Sequence, residues 1–170
     1  MSAAAIPGPA PASLSDAARA KIEREAAKYP PEQRQSTVMM ALAIAQEEHG
    51  WLSTELMEEV AALLGMAPVR VYEVATFYNM YNLKPLGRHK VLICTNLPCA
   101  LSGAVEAADH LKARLGLTGF NQTSADGRVT LKEGECQGAC GDAPLLVIDN
   151  KRMCGPMSHD QLDRLLEELE

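Results

Sequence analysis

Lys90-Val-Leu-Ile-Cys-Thr-Asn-Leu-Pro-Cys-Ala-Leu-Ser-Gly103 is where the chain changes its period. Ahead of it apolar residues recur every three or four positions, as on one face of a helix, whereas Val91 to Cys94 run on without a polar break. A short run of this kind is the pattern of a buried strand. From Gly103 to Leu115 the spacing is helical again, so strand and helix alternate as in an α/β layer. Cysteines mark both ends of the connection. Cys94 closes the strand, and Cys99 stands just before a helix whose start is expected near Ser102 or Gly103. The amide-rich end of that helix would favour a thiolate.

Downstream, Arg128 to Lys132 and Leu145 to Ile148 read as strands, Lys151 to Cys154 as a short further one, and Ser158 to Leu169 as a closing helix. Helices packed on one sheet are expected over 83–170. Asn82-Leu-Lys-Pro-Leu-Gly-Arg88 precedes them, and its proline and glycine break the helical pattern.

Upstream, Leu14-Ser15-Asp16 places an N-cap candidate ahead of a helix running towards Lys28, stopped by Pro30-Pro31. A second helix is predicted from Pro31 or Glu32 to His49, with Gly50 as its stop. Ser53 caps a third that ends at Gly65, and Pro68 opens a fourth that runs into Phe77-Tyr78. Short turns between them predict an antiparallel helical bundle over 14–82, so the class is α/β, or α+β overall. Before it, the Ala/Pro segment 1–13 reads as a flexible tail.

A second cysteine pair, Cys136-Gln-Gly-Ala-Cys140, lies in a glycine-rich loop. Soft thiolates in two tight pairs suit a metal centre, and a 2Fe-2S cluster is the leading candidate because each iron needs two protein thiolates beside its two sulfides. Gly134, Gly138 and Gly141 would let backbone amides approach the sulfurs. Nearby Glu133, Glu135 and Asp142 would make reduction harder. Structural zinc also accepts four thiolates, although its usual sites separate each pair by two residues. Cys-x-x-Cys, the thioredoxin-type redox motif, does not occur.

Cys154 reads as a small packing thiol, with a ligand role as the alternative. His49, His89, His110 and His159 read as surface or capping residues. Tyr72, Phe77, Tyr78 and Tyr81 cluster in a chain with only 4% aromatic residues, and core packing is expected for most of them.

With 47% apolar and 22% charged residues the composition is globular, and a net charge of -6 argues against a nucleic-acid surface. The N-terminus lacks a signal-peptide pattern and no stretch is long enough to span a bilayer, so a reducing intracellular setting is expected. Paired cysteines there read as ligands before disulfides.

Taken together, Gln46-Glu-Glu-His-Gly-Trp-Leu52, Glu73-Val-Ala-Thr-Phe-Tyr78, Cys94-Thr-Asn-Leu-Pro-Cys-Ala-Leu-Ser-Gly103 and Cys136-Gln-Gly-Ala-Cys-Gly-Asp-Ala-Pro144 resemble the E subunit family of respiratory NADH:quinone oxidoreductase, bacterial complex I. The resemblance implies a helical bundle followed by a thioredoxin-like domain with one 2Fe-2S cluster, Cys94, Cys99, Cys136 and Cys140 standing at the four ligand positions. It implies an electron carrier with no substrate site of its own, peripheral on the cytoplasmic face of the membrane. FMN and NADH would be bound by the partner flavin subunit, and the chain indeed has neither a Gly-x-Gly-x-x-Gly turn nor a Walker loop. The same module occurs in NAD-linked formate dehydrogenases and bidirectional hydrogenases, which remain the alternative setting, and a zinc-stabilised assembly protein is the reading from another class.

Overall fold

The computed structural model describes residues 13–169, so the expected tail ahead of Ser13 lies outside the described residues. Between 85 and 86 the chain divides into two units.

Among the described residues the first unit holds four α-helices: α1 (Asp16–Ala26), α2 (Val38–His49), α3 (Thr54–Leu64) and α4 (Pro68–Phe77). The Ser15 hydroxyl accepts the Ala18 N–H at 3.1 Å and the Ser53 hydroxyl accepts the Leu56 N–H at 3.3 Å, each pairing a first-turn amide that has no partner within the helix. Gly50 and Gly65 end α2 and α3 at φ of 79° and 66°, a left-handed conformation that costs glycine little. Ile22, Leu42, Leu56, Val60 and Val71 meet in one core and are fully buried. The segment after α4 is tied down through Gln46, whose Nε2 donates to the Met80 carbonyl at 3.0 Å and whose Oε1 accepts the Asn82 N–H at 2.6 Å.

The second helix begins later than its sequence predicts. Pro31–Thr37 is a tighter 3-10 turn with Gln33 off helical geometry, and α2 starts at Val38. Gln33-Arg-Gln-Ser-Thr37 has no apolar stripe to hold a helix, and its Ser and Thr favour competing local conformations. Arg34 is engaged elsewhere, its Nε and Nη2 both donating at 3.2 Å to the Leu63 carbonyl near the end of α3.

Core packing holds for Tyr81 and fails for two of its neighbours. The Tyr81 hydroxyl donates to the Met39 carbonyl at 2.7 Å, and burial pushes its pKa up to about 12. Tyr72 is half-buried and donates to Glu58 Oε1 at 2.9 Å. Phe77 is 79% exposed and stands edge-on to the exposed Tyr78, ring centres 5.0 Å apart. Val71 and Ala75 form the buried stripe of α4, and Phe77 falls on the opposite face.

The second unit comprises β1 (His89–Cys94), α5 (Leu97–Leu101), α6 (Ala104–Leu115), β2 (Gln122–Thr123), β3 (Val129–Gly134), β4 (Leu146–Ile148), β5 (Arg152–Cys154) and α7 (His159–Glu168). Its sheet has the order β2-β3-β1-β4-β5, with β1 parallel to β3 and the other pairs antiparallel. Val91, Ile93, Leu131 and Leu146 share one face and pack with Leu111 of α6 and Leu162 of α7. Lys90, Leu92 and Cys94 alternate onto the other face, beside Thr130, Lys132 and Val147. The edge strand β2 and the five-residue α5 are absent from the sequence prediction because neither is long enough to show a period.

The histidines make local contacts. His89 Nδ1 lies 2.9 Å from Asp149, and His110 Nε2 lies 2.8 Å from Asp163 while its ring stacks on His159 at 4.3 Å. His49 departs from the surface reading, since its side chain is almost wholly buried.

Candidate metal centre

Cys94 is the last residue of β1, and Cys99 sits inside α5 rather than ahead of a helix. Pro98, which suits a first helical turn, starts this extra turn; Ser102 and Gly103 then redirect the chain into α6. Cys99 is thus part of a helix too short to present the strong positive end that its sequence position suggests. Both sulfurs of this pair are buried, each residue being 1% exposed, and they pack with Ala104 and Leu145.

Cys136 and Cys140 come from the loop between β3 and β4 and are exposed. The Gly138 N–H donates to Cys136 Sγ at 3.4 Å, as a loop built to hold sulfur requires. Cys140 opens a 3-10 turn to Asp142. Gly134 has a different use from the expected one: a Cβ there would stand 2.3 Å from Leu92 Cδ2, so its bareness makes room for Leu92 rather than for a sulfur.

Two hydrogen bonds lace the loops together. Thr95 Oγ1 donates to Glu133 at 2.6 Å and Asn96 Nδ2 donates to Glu135 at 3.2 Å, so these two acids anchor the residues that follow Cys94. The far side of the second loop is pinned by the Cys94 N–H on the Leu145 carbonyl at 3.3 Å and the Met157 N–H on the Pro144 carbonyl at 3.0 Å. Peptide bonds 143–144 and 155–156, both before proline, are cis. Spacing within each cysteine pair is visible in sequence; these cross-loop ties are not, and only the Gly-Pro after Cys154 hints at a close approach.

The four thiols influence one another. Burial above all, then a hydrogen bond with Cys94 and the proximity of Cys94, Cys140 and Cys136, push the Cys99 thiol up to about 11. Desolvation, Cys136 and Cys94 raise Cys140 as well. Thiols crowded in this way resist ionising together, and a bound cation reverses that by taking the thiolates as ligands. Among the described residues no three His, Cys, Asp or Glu side chains are gathered for a single metal ion. The sulfur contacts run within pairs, Cys99 with Cys94 and Cys140 with Cys136. An all-sulfur donor set in two contacting pairs fits a two-iron cluster with one pair to each iron.

Cys154 stands apart. It lies on β5 opposite Leu146, in the core with Leu162 and Leu165. Cys154→Ala is expected to leave iron content and visible spectrum unchanged and to lower stability by about 1 kcal/mol, the loss of one small buried group. Bleaching of freshly purified Cys154→Ala with its far-ultraviolet dichroism intact would make it a ligand.

The thioredoxin-like 2Fe-2S ferredoxin family matches residues 22–170. The chain is 42% identical over 149 residues to an NADH-quinone oxidoreductase subunit of Rhizobium meliloti, covering 88% of this chain and 86% of the relative. It is 36% identical over 145 residues to NADH-quinone oxidoreductase subunit 2 of Thermus thermophilus, covering 85% and 80%. Among solved structures, an NAD+-reducing NiFe-hydrogenase in its air-oxidised state aligns with a TM-score of 0.64 at 22% identity, over 75% of this chain and 22% of that one, a likeness of fold alone.

Proposed function

Because the chain belongs to the thioredoxin-like 2Fe-2S ferredoxin family, we propose that it is the electron-transfer subunit of an NADH:quinone oxidoreductase, exchanging single electrons with FMN held by a partner subunit that binds NADH. The observation that carries this reading is the meeting of two thiol pairs, one buried at the end of β1 and one exposed in the loop after β3. Cys94, Cys99, Cys136 and Cys140 hold one 2Fe-2S cluster. The bound cluster supplies one-electron chemistry, which complements a flavin able to divide the electron pair of a hydride.

The chain's own residues position and insulate that chemistry. Leu145 and Ala104 pack against the buried pair and keep water from it, while Gly138 turns an amide towards Cys136. Thr95 and Asn96 hold Glu133 and Glu135, fixing one ligand loop against the other. Leu97, Leu101 and Val105 are exposed beside Cys99 and offer the flavin subunit an apolar landing. Residues 83–170 form the cluster domain, and the bundle 14–82 adds docking surface through exposed Phe77 and Tyr78. No helix among the described residues is long and apolar enough to cross a membrane. The protein works on the cytoplasmic face and meets the membrane through its complex.

The test is reduction by NADH under anaerobic conditions. The chain alone, loaded with about two iron and two sulfide, is expected to show a rhombic paramagnetic-resonance signal with dithionite but none with NADH. Adding the flavin-carrying subunit should make NADH sufficient. Stoichiometric zinc without labile sulfide in native material, or no signal from NADH in the assembled pair, would overturn the reading.

A further inference from the structure

We propose that Lys90 is a proton-binding group coupled to the cluster: it takes up one proton from water as one electron arrives from a low-potential donor such as reduced flavin. This rests on the reading above that Cys94 is a cluster ligand. Where Lys90 is uncharged in the oxidised protein, up to one proton enters with the electron, so the negative charge gained at the sulfurs is offset by a positive one within the same domain.

Burial and isolation single Lys90 out. The residue is 3% exposed, and its Nζ has no hydrogen-bond partner among the described residues. Two polar groups nearby already hold other partners. Thr130, its register partner on β3, accepts the Gly87 N–H at 2.7 Å and lies 2.8 Å from the Thr123 hydroxyl. Asp149 accepts the Lys90 backbone N–H at 2.7 Å through one carboxylate oxygen and lies 2.9 Å from His89 Nδ1 through the other. Lys132, on the same face of β3, brings a second positive charge close to it. An unpaired ammonium buried beside a second lysine serves no evident structural purpose, and burying it opposes folding.

Its position relative to the cysteines supplies the purpose. Lys90, Leu92 and Cys94 occupy alternate positions of β1 and share one sheet face. At a strand rise of about 3.3 Å per residue, Lys90 and Cys94 are about 13 Å apart along the backbone. Between them Leu92 fills the space over Gly134, an apolar spacer with little capacity to screen charge. A unit charge added at the cysteine end of this face is therefore felt at Lys90.

The sign follows from the group's chemistry. Burial first, then Lys132, against the opposing pull of Asp149, bring Lys90 from 10.5 down to about 8. While the site is oxidised, Lys90 gives up its proton as pH rises through that value. An added electron strengthens its hold on the proton, so in the range above about pH 8 reduction draws a proton in and the midpoint potential falls as pH rises. Below that range Lys90 is charged in both states and the potential is level.

Potentiometric titration of the cluster-loaded chain by paramagnetic resonance, from about pH 7 to about pH 10, tests this. Wild type should be level at first and then fall. Lys90→Met should lose the fall that begins near pH 8, and lie lower than wild type at the acid end because a positive charge has gone. Lys90→Arg should be level and remain high, since a guanidinium does not titrate in this range. Lys132→Met should move the onset of the fall to higher pH by removing the repelling neighbour. A Lys90→Met or Lys90→Arg protein that keeps the wild-type pH curve would overturn the proposal. A wild-type chain that shows no signal after loading would instead overturn the cluster reading on which it rests.

Discussion

Alanine in place of Cys136 or Cys140 is expected to give a folded protein that is colourless and holds neither iron nor labile sulfide. Both residues are exposed, so their removal costs the fold little packing, whereas an iron that loses one of four thiolates cannot be held in an open loop. Cys94→Ala and Cys99→Ala should lose the cluster too. Because these two are buried, their apo forms should also unfold at lower denaturant, by about 1 kcal/mol. Iron and sulfide analysis, the visible spectrum and far-ultraviolet dichroism measure all of this. A coloured, fully loaded Cys136→Ala or Cys140→Ala would show that the ligand set is drawn wrongly.

Gly155→Ala is expected to be the most damaging change outside the cysteines. A Cβ at this position would stand 2.3 Å from the Asp142 carbonyl oxygen and 3.1 Å from Leu145 Cβ, and no rotamer change relieves a clash with backbone. The 3-10 turn that starts at Cys140 would have to move away from β5, opening the site. We expect a loss of about 2 to 4 kcal/mol in denaturant unfolding of the apo protein, together with poor retention of iron after loading. Gly119→Ala, outside the ligand loop, is the matched control, because a Cβ there would lie 3.7 Å from its nearest neighbour, Gln122 Nε2, an ordinary contact. It should stay within about 0.5 kcal/mol of wild type. Equal stability and loading in the two variants would mean that the strand end does not support the ligand loop.

Much of the local architecture is legible in the sequence because it is set by neighbours along the chain. Ser15 and Ser53 cap the helices they precede, and Gly50 and Gly65 end theirs in left-handed geometry. The apolar run ending at Cys94 is the central strand of the sheet, and Val129 to Gly134 pairs with it in parallel. Where residues lack a clear period, the reading falters. The polar stretch 31–37 turns too tightly for an α-helix, and α5 adds a turn around Cys99 that five residues cannot announce. Phe77 reads as core by composition and is exposed because its neighbours Val71 and Ala75 define the other face of α4.

Propensity, capping and spacing over a few residues thus settle several helix ends, the principal strands, the class of fold and the presence of two cysteine pairs, but not where α2 begins nor that α5 exists. Tertiary structure alone decided that Cys94 and Cys99 are buried while Cys136 and Cys140 are exposed, and that Thr95 and Asn96 lace to Glu133 and Glu135. It alone decided that Gly155 lies against Asp142 and that Lys90 is buried, its Nζ without a hydrogen-bond partner among the described residues, on the face that carries Cys94. These features join residues far apart along the chain, and their geometry exists only once the strands have paired, because burial and electrostatics depend on what surrounds a side chain in space.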